Sequence, residues 1–374
     1  MTKLTDVCDI QYGYAFDSRC FSDDETHLPL IRIRDVKRGY SETFYNGDYP
    51  EEYIIHTGDL LVGMDGEFNI ARWKSRDALL NQRVCKIVEK KGINGEYIRF
   101  FLSKALKEIE NRTAFVTVKH LSAKELNKIE LDLPSIEKQA KIAESLCKIE
   151  KIITHRRTQL EKLDLLIKAR FVEMFGDCVS NNMNWKVSSL ESVCDKIYGG
   201  GTPSKSHIEY YENGDIPWVS SKDMKYNIIT DSQIHINELG VRNSTVKMIP
   251  VNSVIMVIRS GILKHTLPIA VNAVPITINQ DLKAFIPNNL VLSIFLAIQF
   301  KMLEKDILSG VRAVTADNIE FNSLKQRNVI VPPLNLQTQF ADFVKQIDKS
   351  KVAVQKALDE AQLLFDSLMQ EYFG

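Results

Sequence analysis

Apolar residues recur at alternating steps of four and three positions through residues 134–176. The repeating positions are Ile142, Leu146, Ile149, Ile153, Leu160, Leu163, Ile167 and Met174, with Arg156 and Arg170 in the two gaps. This heptad spacing, without Gly or Pro inside it, predicts one long α-helix with a single apolar seam. A lone helix cannot bury such a seam against itself, so the pattern also predicts a partner helix.

A second stretch, residues 332–374, aligns with the first after a shift of 198 positions. Identical pairs include Pro134/Pro332, Gln139/Gln337, Ala143/Ala341, Ile149/Ile347, Leu160/Leu358, Leu166/Leu364 and Phe175-Gly176/Phe373-Gly374. The second seam consists of Phe340, Val344, Ile347, Val354, Leu358, Ala361, Phe365, Leu368 and Tyr372. Because the identities extend beyond the seam, a duplicated helix is favoured over two unrelated amphipathic helices.

The segments that precede the two helices also match each other. Short β-branched runs such as LPLIRIRDV, GDLLVGMDG and LNQRVCKIV alternate with turn signals, and GEYIRFFLSKALKEIENR has a helical pattern. Leu4, Val7, Cys8, Asp9, Tyr12 and Gly13 match Leu190, Val193, Cys194, Asp195, Tyr198 and Gly199 at a shift of 186. Pro29, Asp35 and Lys37 match Pro217, Asp223 and Lys225 at 188. Asn81-Gln82 matches Asn279-Gln280, and Val116-Thr117 matches Val314-Thr315, at 198.

The sequence therefore predicts a tandem α+β protein. We expect a mixed α/β domain over residues 1–133, a long helix over 134–176, a second domain over 177–331 that begins with an Asn-rich linker at 177–186, and a second long helix over 332–374. Two equivalent helices related by a pseudo-two-fold axis run antiparallel, so an intramolecular antiparallel coiled coil is predicted. One globular domain is then expected at each end of the helix pair.

Composition limits the partners. The chain has 48 Lys+Arg and 48 Asp+Glu, so any basic surface must be local, and the balance argues mildly against a nucleic-acid binder. The six cysteines form no C-x-x-C pair, which favours reduced thiols and disfavours a zinc site or any other metal site. No apolar run reaches membrane-spanning length and the first residues lack the apolar core of a signal peptide, so a cytoplasmic protein is expected.

The motifs of several enzyme classes are absent from the sequence. There is no P-loop, no H-E-x-x-H, no G-x-S-x-G and no Asp/Asn-Pro-Pro-aromatic motif of an amino-methyltransferase, so we expect no catalytic residue. The run Gly199-Gly200-Gly201 lacks the spacing of a dinucleotide site. Two interpretations of it remain open, a flexible turn or backbone N–H groups close to a phosphate beside Thr202 and Ser204.

Residues with hydrogen-bond donors recur at equivalent places in the two domains. In the first domain the candidate DNA contacts are Tyr14, Arg32, Arg34, Lys37, Arg72, Lys74, Gln82, Arg83, Lys119 and His120. In the second they are Gly201, Thr202, Ser204, Lys205, Ser220, Ser221, Lys222, Arg259, Lys264, Gln280 and Arg312. Arg32 and Arg34 alternate with isoleucines, so we expect them on one face of a strand, with Ser220, Ser221 and Lys222 on the equivalent strand.

Each of these side chains alone is more typical of a solvated surface, but the repeated set favours a DNA reader, because Arg suits guanine, Gln suits adenine, and Ser, Thr and Lys suit phosphates. Gln82 and Gln280 remain open between an adenine contact and a cap on a turn within the core.

Several segments in the same order resemble the specificity subunits of type I restriction–modification enzymes, and the resemblance covers the full length. The matching segments are LPLIRIRDVK/IPWVSSKDMK, GGGTPS, NQRV/NQDL, the helix entries LPSIEKQAKIA and PPLNLQTQFADFV, and the final MQEYFG. The resemblance implies two target-recognition domains, each reading one half of a split DNA site across an unread spacer set by the helices.

It also implies partners. Methylation subunits, expected to be two, would dock on the helices, and motor–nuclease subunits would join them. No cofactor is expected in this chain, since S-adenosylmethionine, ATP and Mg²⁺ would belong to the partners. Two alternatives from other classes remain, namely a self-contained DNA methyltransferase or nuclease, and a coiled-coil adaptor without a DNA role.

Overall fold

A computed structural model describes residues 1–112, 120–310, 312–313 and 317–374. The chain forms two compact units, and each long helix contributes to both. The first unit comprises Met1–Arg157 with Lys356–Gly374, and the second comprises Thr158–Gln355.

In the described part of the first unit, eleven strands and four short or medium α-helices precede the first long helix. The strands are β1 Thr2–Lys3, β2 Cys8–Tyr12, β3 Phe21–Ser22, β4 Leu28–Ile31, β5 Phe44–Tyr45, β6 Ile54–Ile55, β7 Leu60–Gly63, β8 Ile70–Arg72, β9 Ala78–Leu80, β10 Val84–Glu89 and β11 Glu130–Leu131. The helices are α1 Leu4–Val7, α2 Ile33–Arg38, α3 Gly95–Arg112, α4 Ala123–Asn127 and the long helix α5 Ile136–Phe175.

The second unit follows the same plan. Its strands are β12 Val187–Ser189, β13 Cys194–Gly199, β14 Ile216–Val219, β15 Ile228–Ile229, β16 His235–Ile236, β17 Val254–Val257, β18 Ile269–Asn272, β19 Thr277–Ile278, β20 Leu282–Pro287, β21 Arg312–Ala313, β22 Asp317–Asn318 and β23 Asn328–Ile330. Its helices are α6 Glu238–Arg242, α7 Ser293–Met302, α8 Glu304–Ser309, α9 Phe321–Lys325 and the long helix α10 Leu334–Phe373.

The sheets repeat between the units. The first unit has an antiparallel sheet in the order β2-β10-β7-β8 and a mixed sheet in the order β3-β5-β4-β9-β6, in which β4 and β9 are parallel. The second unit has the order β13-β20-β17-β18 with β15 added, and β14 and β19 are again parallel. β1 pairs with β11 as β12 pairs with β23. The predicted tandem α+β repeat is confirmed.

The two long helices contain 40 residues each and run antiparallel within the second unit. Lys351 Nζ lies 2.7 Å from Asp164 Oδ1, while the Phe171 ring meets Phe340, so α10 runs backwards as α5 advances. The predicted seam positions Ile142, Leu146, Ile149, Ile153 and Ile167 are buried. Phe171 and Phe175, which the predicted spacing did not include, are fully buried, so the seam of α5 becomes an aromatic cluster near its end.

A buried glutamine fixes the entrance of each long helix. Gln139 Oε1 accepts from the Asn94 amide at 2.9 Å, and Gln337 Oε1 accepts from the Leu292 amide at 2.9 Å. Each glutamine also donates to a proline carbonyl before its helix at 2.8 Å. Burying a side-chain amide costs folding free energy unless its N–H and C=O groups form hydrogen bonds, and both glutamines form them. The identity of this pair outside the apolar seam therefore has a structural cause.

The predicted linker at residues 177–186 is a folded turn. The Asp177 amide donates to Asn182 Oδ1 at 2.9 Å, and the Trp185 indole N–H donates to the Phe175 carbonyl at 2.9 Å. Asn181 takes a positive φ of 48°, a conformation that asparagine tolerates better than most residues. The segment therefore packs on the end of α5.

The alignment of Tyr12-Gly13 with Tyr198-Gly199 is wrong by one residue. In β2, Cys8 opposes Glu89 and Asp9 opposes Val88, whereas in β13 Cys194 opposes Pro287 and Lys196 opposes Ile286. The extra residue, Asp195, is a β-bulge, which places two residues opposite one. Beyond it the shift is 187, so Gly13 corresponds to Gly200 and Tyr14 to Gly201.

Candidate nucleic-acid interface

The predicted strand that carries Arg32 and Arg34 ends earlier than expected. β4 stops at Ile31, and Arg32 precedes helix α2 with its amide donating to Asp35 Oδ2 at 2.9 Å. The expectation that Arg32 and Arg34 share a strand face is wrong, because the buried Asp35 carboxylate caps a helix start there. Arg34 Nε lies 3.6 Å from Asp35 Oδ1 and stays largely exposed.

The second unit has the same turn. The Ser220 amide donates to Asp223 Oδ2 at 2.8 Å, and Ser221–Asp223 forms a short 3-10 turn after β14. The predicted strand through Ser220, Ser221 and Lys222 is therefore also wrong, for the same capping reason. Ser220 and Arg32 occupy equivalent positions directly after their strands.

Parallel strands bring several candidates of the first unit to one edge. Ile31 of β4 is paired with Leu80 of β9, so the residues that follow these strands emerge together. The turn 81–83 is held by its backbone, with the Tyr14 amide donating to the Leu80 carbonyl at 2.9 Å and the Gln82 amide donating to the Tyr14 carbonyl at 2.8 Å. We name this surface the first edge. Its members are Tyr14, Arg32, Gln82, Arg83 and His120.

A carboxylate that the sequence analysis missed organises part of this edge. Asp65, just beyond β7, has Oδ2 at 3.4 Å from Arg83 Nε and Oδ1 at 2.5 Å from His120 Nδ1. The side chain of Asp65 is 18% exposed, whereas that of Arg83 is 65% exposed. Asp65 thus lies beside both Arg83 and His120, while most of the Arg83 side chain remains exposed.

The corresponding surface of the second unit is named the second edge. Its members are Gly201, Thr202, Ser220, Arg259 and Gln280. Arg259 Nε and Nη2 each lie 2.7 Å from Asp281 Oδ1, and Thr202 Oγ1 donates to Gln280 Oε1. Asp281, like Asp65, was missed, although it directly follows the predicted Asn279-Gln280 pair.

Both glutamines point outward, and a role as core cap does not fit them. Gln82 and Gln280 are exposed, while the neighbouring Asn279 is buried and its Oδ1 accepts from the Asp281 amide at 3.1 Å. Asn279 therefore stabilises the turn in the second unit, and the turn does not depend on Gln280 for this hydrogen bond.

The glycine run serves close packing of two chain segments. A Cβ atom on Gly200 would collide with the Asn279 carbonyl, as a Cβ on Gly13 would with the Asn81 carbonyl. The Gly201 amide donates to the Ile278 carbonyl at 3.0 Å, so this N–H group is already engaged. Of the two open interpretations, a turn fits better than a phosphate contact through the Gly201 amide, and this turn is closely packed at Gly200.

Arg72 lies away from the first edge. Its Nε lies 2.6 Å from Glu96 Oε1, its Nη2 lies 3.5 Å from Glu89 Oε1, and its Nη1 donates to the Gly58 carbonyl at 2.9 Å. Burial acts to raise the pKa of Glu96, but hydrogen bonds from Arg72 and Arg99 outweigh it and hold that pKa below its usual value. Arg72 therefore has a structural role in the first unit.

The remaining candidates are spread over neighbouring surfaces. Lys37 is exposed on α2, and the stem of Lys74 lies against Gly39 at the end of that helix. Ser204 and Lys205 are exposed on a loop of the second unit, and Lys264 is exposed at the end of the 3-10 helix Gly261–Lys264. Ser221 and Lys222 line a cavity in the same unit. Lys119 lies outside the described residues, as do the matched pairs Val116-Thr117 and Val314-Thr315. For Arg312 only the backbone pairing with Asn318 is described.

The cavity beside Lys222 has a volume of about 660 Å³ and holds an unusual lysine. Burial lowers the pKa of Lys301 to about 8, and its Nζ donates to Asn227 Oδ1 at 2.5 Å. Asp164 and Lys168 of α5 and Asp348 and Lys351 of α10 act on it electrostatically. Charged Lys301 therefore costs folding free energy near neutral pH.

Replacing Lys301 by methionine is expected to stabilise the second unit at pH 7 by about 1–2 kcal/mol, after the lost Asn227 hydrogen bond is discounted. The unfolded chain keeps this proton up to its ordinary pKa of 10.5, whereas the folded chain releases it near 8. The contribution of Lys301 to wild-type stability therefore rises across that interval, and the advantage of the variant shrinks as pH approaches 10. Urea unfolding at pH 7 and pH 10 measures this, with Lys305→Met on the exposed face of α8 as control. An advantage that is equal at both pH values contradicts it.

Among the residues that the structure describes, none of the helices combines the length and the apolar character that a membrane span requires. Across the same residues, no group of three or more His, Cys, Asp or Glu is arranged to hold a metal ion.

Comparisons with known proteins agree with this arrangement. The family model described as "Type I restriction modification DNA specificity domain" matches residues 1–163 and 182–361. The chain is 26% identical over 397 residues to the type I restriction enzyme EcoBI specificity subunit of Escherichia coli, covering 98% of this chain and 83% of that protein. It is 39% identical to the EcoR124I/EcoR124II specificity subunit of Escherichia coli over 155 residues, 41% of this chain and 38% of that one.

Solved structures support the fold. The S subunit of a type I restriction–modification system from M. genitalium matches with a TM-score of 0.61 at 14% identity, covering 100% of this chain and 95% of that one. A chain from a structural study of complex assembly and conformational transition of the type I R-M system matches with a TM-score of 0.53 at 16% identity, covering 100% and 96%. Since the family model matches both repeats, this chain belongs to the type I restriction–modification DNA specificity family, the non-catalytic recognition subunits of these systems.

Proposed function

We propose that each unit of this chain reads one half of a bipartite DNA sequence, and that the paired long helices set the number of unread base pairs between the halves. The observation that carries this is the repeated edge at the ends of the parallel strands. Each edge presents an exposed glutamine and an exposed arginine, Gln82 with Arg83 and Gln280 with Arg259. These side chains pair with the major-groove edges of adenine and guanine.

The edges divide into base-reading and phosphate-holding residues. Side chains on turns that backbone hydrogen bonds hold in place suit contacts with bases, because their polar groups have fixed positions. These residues are Tyr14, Gln82, Arg83 and Arg259. The exposed cations around the edges suit phosphates. These are Arg32, Arg34, Lys37, Lys74, Lys205, Lys222 and Lys264. They give each unit a local basic surface although the chain as a whole is neutral.

The long helices offer equivalent surfaces for partner subunits. Leu165 and Leu166 on α5 are 62% and 45% exposed, and their equivalents on α10, Leu363 and Leu364, are 70% and 51% exposed. Two adjacent exposed leucines form an apolar patch on each helix, and contiguous exposed apolar patches are typical of protein interaction sites. We propose that each leucine pair receives one methylation subunit, so the complex holds two.

The partners would supply the chemistry. Methylation subunits would bind S-adenosylmethionine, motor–nuclease subunits would bind ATP and Mg²⁺, and this chain would place them on DNA in the cytoplasm. Membership of the specificity family favours this over a self-contained methyltransferase and over an adaptor without a DNA role.

Exchanging residues 1–133 for the corresponding domain of a relative with a different target tests the proposal. We expect one half of the methylated sequence to change completely and the other half to stay the same, because each unit has its own sheets and core. Sequencing of methylated sites in cells that carry the exchanged chain and its methylation subunits measures this. An exchange of residues 177–331 is the matched control and should alter the opposite half. Simultaneous change of both halves would contradict independent reading.

A further inference from the structure

The two edges contain the same ion pair with its charges reversed. The Met64 amide donates to the Arg83 carbonyl at 2.9 Å, and the Ile258 amide donates to the Asp281 carbonyl at 2.8 Å. These hydrogen bonds make Arg83 and Asp281 equivalent, and they make Asp65 and Arg259, the residues that follow Met64 and Ile258, equivalent. The first unit thus has Asp on the loop after β7 and Arg on the turn after β9, while the second unit has the opposite arrangement after β17 and β19.

A third position confirms this equivalence. Asp65 forms an isolated antiparallel bridge with His120, and Arg259 forms the same bridge with Asn318. The reversed pair therefore occupies one framework site in both units. We call Asp65 with Arg83 the first edge pair and Arg259 with Asp281 the second edge pair.

In each edge pair the carboxylate is the more buried partner. Asp65 and Asp281 are 18% and 26% exposed, against 65% and 47% for Arg83 and Arg259. Asp281 is further fixed, since its Oδ2 accepts from Asn279 Nδ2 at 3.2 Å. An exposed ion pair contributes little to stability, so its main physical effect here is to orient a planar guanidinium from a fixed carboxylate.

We propose that Arg83 and Arg259 each read a guanine. Because the charges of the two edge pairs are exchanged, the arginine starts from a different place in each unit, and the guanine is read at a different position within each half-site. This inference rests on the proposed function. The ion pairs use Nε of Arg83 and both Nε and Nη2 of Arg259. A guanidinium has five N–H donors, so each arginine keeps terminal N–H groups that can match the O6 and N7 acceptors of guanine. The arginine projects from the turn after β9 in the first unit and from the loop after β17 in the second.

The acidic partners are positioning residues. Asp65 holds Arg83 together with His120, whose equivalent in the second unit is Asn318. Replacing Asp65 by asparagine keeps the shape of the side chain and removes its charge, so the orientation of Arg83 relaxes while its reach toward DNA remains.

The first test replaces Arg83 by lysine in the full chain, assembled with its methylation subunits. Lysine keeps the charge but loses the two-pronged contact, so guanine preference at one position of one half-site should fall by about ten- to a hundredfold. The second half-site should not change, and Arg259→Lys should show the reverse. Asp65→Asn should lower the same preference as Arg83→Lys, by a smaller factor. Methylation of a library of randomised sites gives these ratios.

The matched control is Arg76→Lys. Arg76 precedes β9 and donates to the carbonyls of Glu25 and His27, so it lies at the other end of the strand from Arg83. It should leave every base preference intact. A loss of guanine preference in this variant equal to that of Arg83→Lys would overturn the assignment.

The second test rebuilds the second edge pair in the first unit with Asp65→Arg, Arg83→Asp and His120→Asn. In this triple variant an ion pair forms again with its two charges exchanged, so the thermal unfolding midpoint should stay close to that of wild type. Asp65→Arg alone places two arginines side by side and should lower the midpoint. The guanine preference of that half-site should move to another base position. If the rebuilt chain is destabilised, the lysine variants decide.

The two levels of failure are distinguishable. A wild-type complex that marks no bipartite site overturns the proposed function itself. A wild-type complex that marks such a site, but has no guanine preference sensitive to Arg83→Lys or Arg259→Lys, overturns this inference alone.

Discussion

A fragment of residues 1–176 is expected to form a dimer and, with methylation subunits, to mark a symmetric bipartite site. The core of the first unit includes side chains from the end of α10, and the fragment lacks them. These are Phe365, Leu368, Met369, Tyr372 and Phe373. The fragment contains the residues that lie 198 positions earlier on α5. These are Ile167, Arg170, Phe171, Met174 and Phe175. A second copy can supply them to the same surface, with only Arg170 replacing an apolar residue.

Light scattering measures the mass of the fragment, and sequencing of methylated DNA gives the site. The matched control is a fragment of residues 1–157, which ends before the replacement side chains and should neither dimerise nor support methylation. The symmetric site should contain the half read by the first unit twice, in inverted orientation. A folded, stable monomer of residues 1–176 would show that the two long helices are not interchangeable partners.

The long helices were predictable from two independent features. The heptad spacing indicates a long helix in each stretch, and the identities outside the apolar seam indicate that the two stretches are copies of each other. The core of each unit was less accessible. The prediction that two mixed domains precede the helices followed from β-branched runs and turn signals, but the pairing of β4 with β9 in parallel depends on contacts between segments about fifty residues apart. That pairing creates the first edge, and the equivalent pairing of β14 with β19 creates the second.

Identity was a poor guide where the register changes. Asp9 and Asp195 are the same residue type, yet the bulge at Asp195 means that Lys196 takes the place of Asp9 in the sheet. A bulge adds one residue without a compositional signal, so matching letters continued past the point where the backbones diverge. Only the strand register reveals that Tyr14 corresponds to Gly201.

The alternation of apolar and polar residues in LPLIRIRDV led to a wrong prediction of one continuous strand. Its period of two is typical of a strand, but Asp35 caps the amino end of α2 and converts the second half of the run to a helix. The reversed edge pairs were inaccessible for a different reason. Asp65 and Arg259 differ in charge, so their equivalence is visible only from the backbone hydrogen bonds that the two units share.

Replacing Phe171 by alanine is expected to lower the free energy of unfolding of the second unit by about 3–5 kcal/mol, because it leaves a cavity among rings that cannot close over it. Phe171 is fully buried, and its ring centroid lies 5.2 Å from that of Phe175, 5.6 Å from that of Phe295 and 5.5 Å from that of Phe340. These rings come from α5, α7 and α10, so their loss weakens the attachment of both long helices to the second unit.

Urea unfolding followed by tryptophan fluorescence measures this change, since Trp185 packs beside Phe175 and reports on the cluster. The matched control is Met369→Ala, the equivalent position in the first unit, where the side chain is only partly buried. It should cost less, because a partly exposed site leaves a smaller cavity. At urea concentrations near the unfolding midpoint of Phe171→Ala, base preference in the half-site read by the second unit should be lost before that in the other half-site. Equal losses for the two variants would show that the aromatic cluster adds nothing beyond ordinary seam packing.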